Sequence, residues 1–343
     1  MGLRGIVLLL LALLAGAAAR APPRADCAAG NLECACAAAG GAWHAYKPPL
    51  EPVCTVTILH QDRERTFNIF LPRAYDARAQ KYPVWVHLHG VYWASMDDIS
   101  ARMGFTVQAT EATPMWDTLS TGPYRDTAVA VYPQALPPGG DAFKRTFWNN
   151  PFWHCSVDVC ADPSIDDIGF IEKVFLELPA RLSMDRKKVF LSGTSAGGMM
   201  LHTLLCSSPI VSHFTTAAVD LIGGLGESMR HTCRDSHHVP LRIIHGENDT
   251  VLHFDEACEV DGVRFLSTRD TAAMWKERYG CASEPDAPDV WGDGITTCDA
   301  LCAKKGLLEL CRMRGIGHQL DVPTLGYPFT AAWEFFKSVA GMK

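Results

Sequence analysis

Val189-Phe190-Leu191-Ser192-Gly193-Thr194-Ser195-Ala196-Gly197-Gly198-Met199-Met200 is the stretch that decides the fold of this chain. A short β-branched and aromatic run ends in Gly193-Thr194-Ser195-Ala196-Gly197. A segment with helical apolar spacing (Met199, Met200, Thr203, Leu204) follows at once. A serine on so tight a strand-to-helix turn needs small residues two positions to either side, which Gly193 and Gly197 supply. The stretch therefore reads as a nucleophile elbow. It holds the Ser195 hydroxyl clear of a sheet and aims the Ala196 N–H at the place where an oxyanion would form.

Upstream, Val84–Gly90 is a continuous apolar strand running into a glycine, as expected of a strand buried on both faces. The turn beyond it, Gly90-Val91-Tyr92-Trp93, is placed to give a second oxyanion donor, the N–H of Val91 ahead of that of Tyr92. His87 and His89 are taken as structural histidines at the strand end, because no third ligand at a metal-binding spacing accompanies them. Thr127–Tyr132 is a further buried strand. Thr55–Leu59 and Thr66–Leu71, around the polar turn 61–65, predict an antiparallel hairpin at the sheet edge.

Downstream, Ala217–Leu221, Leu241–His245 and Leu307–Met313 read as strands. Helices are predicted over Ile165–Leu182, Thr271–Tyr279 and Thr330–Val339, the last presenting Trp333, Phe336 and Ala340 on one face. Asp166 and Asp167 are read as favouring a helix N-terminus. Alternating strands and helices give an α/β fold, a doubly wound, mostly parallel sheet with an antiparallel N-terminal edge hairpin.

A serine hydroxyl needs an adjacent base to act as a nucleophile near neutral pH. Of thirteen histidines, His318 follows the last predicted strand on a glycine-flanked turn, Gly315-Ile316-Gly317-His318. Asp249, in the polar turn after Leu241–His245, is preferred as the acid to Asp220, which also ends an apolar strand. The aromatic loop Phe147-Trp148-Asn149-Asn150-Pro151-Phe152-Trp153 is either a satellite core or the wall of a substrate pocket. Tyr92, Trp148, Phe152 and Trp153 are the substrate-contact candidates.

The remaining features bound the chain's setting. Arg4, the apolar run Ile6–Leu14 and Ala17-Ala18-Ala19 read as an export signal over residues 1–19, short of the ~20 apolar residues a spanning helix needs. Residues 20–53 read as an irregular, cysteine-containing segment, and 54–343 as a single catalytic domain. A formal net charge of −7 without a basic cluster gives no electrostatic footprint for nucleic acid. Thirteen cysteines in an exported chain predict disulfides with at least one thiol left over, for which Cys206 and Cys311 are the candidates. Asn248-Asp249-Thr250 is a glycosylation sequon, expected to stay unmodified because Asp249 must face inward.

Taken together, His89-Gly90, Ile165–Ile171, Gly193–Met200, His245-Gly246 with Asp249, and Gly317-His318 resemble the secreted feruloyl esterases and polyhydroxybutyrate depolymerases related to carbohydrate esterase family one. The resemblance implies an α/β-hydrolase fold and ester hydrolysis without a cofactor or metal, with triad roles for Ser195, Asp249 and His318. The expected partner is an ester substrate, free or polymer-linked, acted on by a secreted monomer. A serine peptidase on the same fold and a catalytically silent binding protein are the alternatives.

Overall fold

A computed structural model describes residues 27–45, 52–91, 126–137, 146–153, 155–156, 159–234, 237–281, 289–290, 294–304, 306–318 and 327–343. The predicted export signal and Tyr92 lie outside the described residues. The chain opens with α1 (Leu32–Ala38), β1 (Gly41–His44), β2 (Val53–His60), β3 (Arg63–Phe70), β4 (Tyr82–Leu88) and β5 (Val129–Pro133). The short pair β6 (Cys155–Ser156) and β7 (Val159–Cys160) precedes α2 (Asp167–Arg181), β8 (Met184–Thr194), α3 (Ala196–Ser207), α4 (Pro209–Phe214), β9 (Ala217–Leu221) and α5 (Met229–Thr232). There follow β10 (Leu241–Gly246), β11 (Cys258–Val260), β12 (Val263–Phe265), α6 (Thr268–Arg278), β13 (Asp289–Val290), β14 (Thr296–Ala300), β15 (Leu308–Met313) and α7 (Tyr327–Ala340).

Eleven strands form one sheet in the order β1-β2-β3-β5-β4-β8-β9-β10-β15-β14-β13. Its middle, from β5 to β15, is parallel, and both flanks are antiparallel. This is the α/β-hydrolase architecture expected from the elbow. Strand side chains alternate between two cores: Val84, Val86, Val189 and Leu191 belong to one, with Phe170 and Phe175 of α2 and Leu201 and Leu204 of α3. Trp85 and Phe190 point to the other face and meet α7, where Trp85 stacks on Trp333 at 5.9 Å and Phe190 on Phe336 at 4.6 Å. The Trp333 and Phe336 face of the last helix thus docks on the sheet as its spacing predicts.

The ends of the sheet differ from the sequence reading. Residues taken as irregular contain α1, capped by Asn31, and β1, which pairs with β2 and so displaces the predicted hairpin from the outermost position. At the far side β13 and β14 extend the sheet beyond β15, although Thr296–Ala300 carries no apolar alternation.

Six disulfides join Cys27–Cys34, Cys36–Cys54, Cys155–Cys160, Cys206–Cys233, Cys281–Cys302 and Cys298–Cys311. The front cysteines pair among themselves, and this density of bridges fits an oxidising compartment. The unpaired thiol is Cys258, correcting the expectation of Cys206 or Cys311. Cys206 near the end of α3 meets Cys233 just past α5, and Cys311 faces Cys298 directly across the β14–β15 ladder. Among the described residues no helix is long and apolar enough to cross a membrane.

Candidate active site

Ser195, Asp249 and His318 follow β8, β10 and β15, at the same, C-terminal edge of the parallel strands. Ser195 has φ 51° and ψ −115°, a backbone conformation that L-residues rarely adopt. Two features over-determine it. Its N–H donates to the Leu221 carbonyl at 2.9 Å, and its own carbonyl accepts from Met199 N at 3.0 Å. Gly197 is obligatory for a steric reason, since a Cβ there would collide with the Leu88 and His89 carbonyls. A Cβ at Gly193 would likewise strike the Gly197 backbone. Because Ser195 also heads α3, the positive end of that helix lies beside its hydroxyl.

Ser195 Oγ lies 3.0 Å from His318 Nε2, and His318 Nδ1 lies 2.8 Å from Asp249 Oδ2. The Asp249 side chain is fully buried, and its carboxylate is saturated with donors. Oδ1 accepts from the N–H groups of Val251 (2.8 Å) and Leu252 (2.9 Å), while Oδ2 faces both His318 and His245 Nε2 (2.9 Å). Burial alone would raise this carboxyl's pKa, but the hydrogen bonds from His245 and His318 hold it well below the usual carboxylate range. It is therefore an acceptor only, and His318 must carry its proton on Nδ1. That leaves His318 Nε2 free to take a proton from Ser195.

His245 is the site residue whose place the sequence did not show. Its Nε2 also lies 2.8 Å from the Leu252 carbonyl, which can only accept, so Nε2 is protonated and Nδ1 is left without a partner. The imidazole thus clamps both ends of the turn that carries Asp249. The visible signal was the i,i+4 spacing of His245 and Asp249 across Gly246.

Asp220, the rival acid, is committed elsewhere. It accepts from Gly223 N at 2.9 Å and pairs with His202 Nε2 at 3.2 Å, and His202 Nδ1 in turn accepts from Trp275 Nε1 at 3.1 Å. Asp166 caps α2 by accepting from Gly169 N. Asp167 is 1 % exposed and forms an ion pair with Arg65 at 2.5 Å, and it accepts from Asn149 N, tying the aromatic loop to α2. Asp166 thus serves the helix N-terminus as its cap, while Asp167, in the first turn, commits its carboxylate to Arg65 and Asn149.

The aromatic loop itself is core. Phe147, Trp148, Phe152 and Trp153 are all buried within the larger core cluster, which is the first of the two readings the sequence left open. Trp148 still bears on the site, since its Nε1–H donates to the His89 carbonyl at 2.8 Å, immediately beneath Gly90 and Val91. Val91 is half-buried at the head of that turn, and Ala196 is buried at the first position of α3. Asn248 and Thr250 are exposed while Asp249 between them is buried, so an inward aspartate leaves the sequon's own asparagine outside. Among the described residues no cluster of metal-ligating side chains is present.

In sequence, the chain is similar to feruloyl esterase B of Piromyces equi, 22 % identical over 177 residues, which is 50 % of this chain and 32 % of that protein. It is similar also to a probable feruloyl esterase C of Aspergillus niger, 25 % identical over 206 residues, covering 59 % of this chain and 61 % of that one. The match therefore spans less than two thirds of each of these curated relatives. No model of a known protein family matches the chain. In structure, acetyl xylan esterase from Aspergillus awamori superposes with a TM-score of 0.52 at 13 % identity, over 82 % of this chain and 98 % of the other. Thermogutta terrifontis esterase 2, phosphorylated by paraoxon, superposes with a TM-score of 0.50 at 15 % identity, over 86 % and 98 %. Both likenesses bear on the fold and agree with an α/β-hydrolase.

Proposed function

We propose that this protein is a secreted serine esterase that hydrolyses carboxylic esters, with phenolic esters of the feruloyl type as its preferred substrates. The observation that carries the reading is the continuous hydrogen-bonded relay from Ser195 through His318 to the donor-saturated Asp249 carboxylate, seated on a strained elbow. Ser195 Oγ attacks the ester carbonyl carbon as His318 Nε2 takes its proton. The tetrahedral oxyanion is stabilised by the N–H groups of Ala196 and Val91. Collapse expels the alcohol, which takes the proton from His318, and leaves an acyl-serine. Water, deprotonated by His318, then releases the acid. Asp249 keeps His318 in the required tautomer and stabilises the imidazolium.

The likeness to two feruloyl esterases favours phenolic acyl groups over short hydroxyacyl polyesters. The six disulfides and the leader-like residues 1–19 support export of a monomer, whose single catalytic domain reaches forward of residue 54 to take in β1. The test is turnover of methyl ferulate, p-nitrophenyl acetate, a 3-hydroxybutyrate oligomer and a peptide amide by purified protein and by Ser195→Ala. Methyl ferulate hydrolysis that vanishes in the variant supports the reading. Preference for the oligomer moves the substrate class, and turnover of the amide alone moves the enzyme to the peptidases. Folded wild-type protein inert toward every member refutes it.

A further inference from the structure

The turn after β4 would supply the second oxyanion donor, and what fixes its two peptide planes is set by hydrogen bonding. His89 is 2 % exposed and has a defined neighbour at each ring nitrogen. Nε2 lies 3.0 Å from the backbone nitrogen of Ala135, and Nδ1 lies 2.7 Å from the Gly90 carbonyl oxygen. A backbone N–H can only donate and a carbonyl can only accept. The tautomer is therefore determined, with a bare Nε2 and a proton on Nδ1 that is given to Gly90 O. Because a trans peptide is planar, the Gly90 carbonyl and the Val91 N–H point in opposite directions within one rigid unit, and holding the oxygen aims the hydrogen. The preceding plane is held separately, since the Trp148 indole donates to the His89 carbonyl and its ring lies 4.6 Å from the imidazole.

Building on the serine-esterase reading, we propose that His89 is a positioning residue for the oxyanion site, its Nδ1–H orienting the Val91 N–H through the Gly90 carbonyl. The role needs a neutral ring, because a proton on Nε2 would confront the Ala135 N–H. Burial lowers the His89 pKa to about 4, against the Gly90 hydrogen bond that raises it, and the Arg65 charge lowers it further. Among the described residues, Arg65 and His87 interact with the ring electrostatically. The ring is thus kept near neutral pH in the donor-acceptor form that the geometry demands.

Three substitutions separate orientation of the turn from general packing. In His89→Asn the amide can occupy the place of Nδ1 and still donate to Gly90 O. In His89→Gln it reaches instead the place of Nε2, and His89→Leu keeps neither bond. For p-nitrophenyl acetate, His89→Leu and His89→Gln are expected to lose about 10²–10³ in kcat, the scale of one lost oxyanion donor, with KM within about threefold of wild type. His89→Asn is expected to stay within about tenfold in kcat. A Leu variant with wild-type kcat, or a Gln variant as active as Asn, overturns the proposal. Should the Leu variant fail to fold, long-range 1H–15N correlation of the wild-type imidazoles decides, with Nδ1 protonated as the expected result and Nε2 protonated as the refuting one. Wild-type protein with no Ser195-dependent turnover would bring down the esterase reading itself, an outcome distinct from an active Leu variant or a reversed tautomer.

Discussion

Replacing Asp249 by asparagine changes one atom of a carboxylate that receives donors on both oxygens, so the outcome can be worked out bond by bond. Oδ1 faces two backbone N–H groups and Oδ2 faces two imidazoles. If the new amide nitrogen replaced Oδ1, it would oppose the N–H groups of Val251 and Leu252, leaving buried donors unpaired at about 1–3 kcal/mol each. If it replaced Oδ2, it would oppose His245 Nε2–H, which keeps its bond to the Leu252 carbonyl, and His318 could answer by moving its proton from Nδ1 to Nε2, where it would point at Ser195. The second arrangement is the cheaper one, and in it the base has lost its lone pair. The expected loss in kcat is about 10⁴, or about 5 kcal/mol in the barrier, with a fold still intact because the turn keeps its backbone bonds. The assay is p-nitrophenyl acetate hydrolysis beside a thermal melt. Asp249→Asn within tenfold of wild-type kcat would refute the assignment of Asp249 and the tautomer argument with it.

Other perturbations have equally definite expectations. Gly197→Ala drives a methyl group into the Leu88 and His89 carbonyls, so a destabilisation of about 1–3 kcal/mol should accompany a fall in kcat, and an unchanged melt would contradict the packing at the elbow. His87 and His89 have pKa values lowered to about 3 and about 4, for both chiefly by burial, whereas the unfolded chain takes up these protons near pH 6.5. Stability from this source is intact above pH 6.5 and declines as pH falls toward those values, by about 2 kcal/mol per ring at pH 5; denaturant midpoints equal at pH 7 and pH 5 would count against it. Non-reducing peptide mapping should recover six disulfides and one alkylated thiol at Cys258, and label on Cys206 or Cys311 would contradict the pairing. Asp167→Ala leaves the buried Arg65 without its carboxylate partner, which should cost about 3–5 kcal/mol in a chemical unfolding experiment.

Much of this architecture was legible because the central elements advertise their burial. Val84–Leu88 and Val189–Thr194 are largely apolar and buried on both faces, as strands of a sheet covered on both sides must be. Glycines at 193 and 197 marked the elbow because backbone atoms crowd both positions. The edges were less legible for a matching reason. Strand β1 is only partly buried and β14 buries a threonine and a cysteine, Thr296 and Cys298, so neither shows an apolar alternation, and the register with β2 and β15 defines them. Cysteine pairing depends on approach in space, as when α3 brings Cys206 to Cys233. The aromatic loop had two readings of equal composition, and its hydrogen bonds and burial, absent from the sequence, chose the interior. His245 escaped for the same reason: a histidine closing an apolar strand looks like any buried polar residue until the turn folds back on it.

Both flanks of the sheet are locked covalently one or two strands in from the edge. At one flank Cys36 of α1 is bonded to Cys54 of β2, and at the other Cys298 of β14 is bonded to Cys311 of β15. Strand β8, which presents Ser195, is the sixth of the eleven and equally far from either edge. A sheet ordinarily frays from its outermost ladders inward, and each peeled strand offers an unpaired backbone to proteases or to neighbouring chains. Here unzipping from either side meets a bond that thermal motion does not break, so the elbow at the centre is insulated from disorder at the rim. In surroundings without chaperones or resynthesis, persistence of activity would then be governed by the reducing power of the medium as much as by heat.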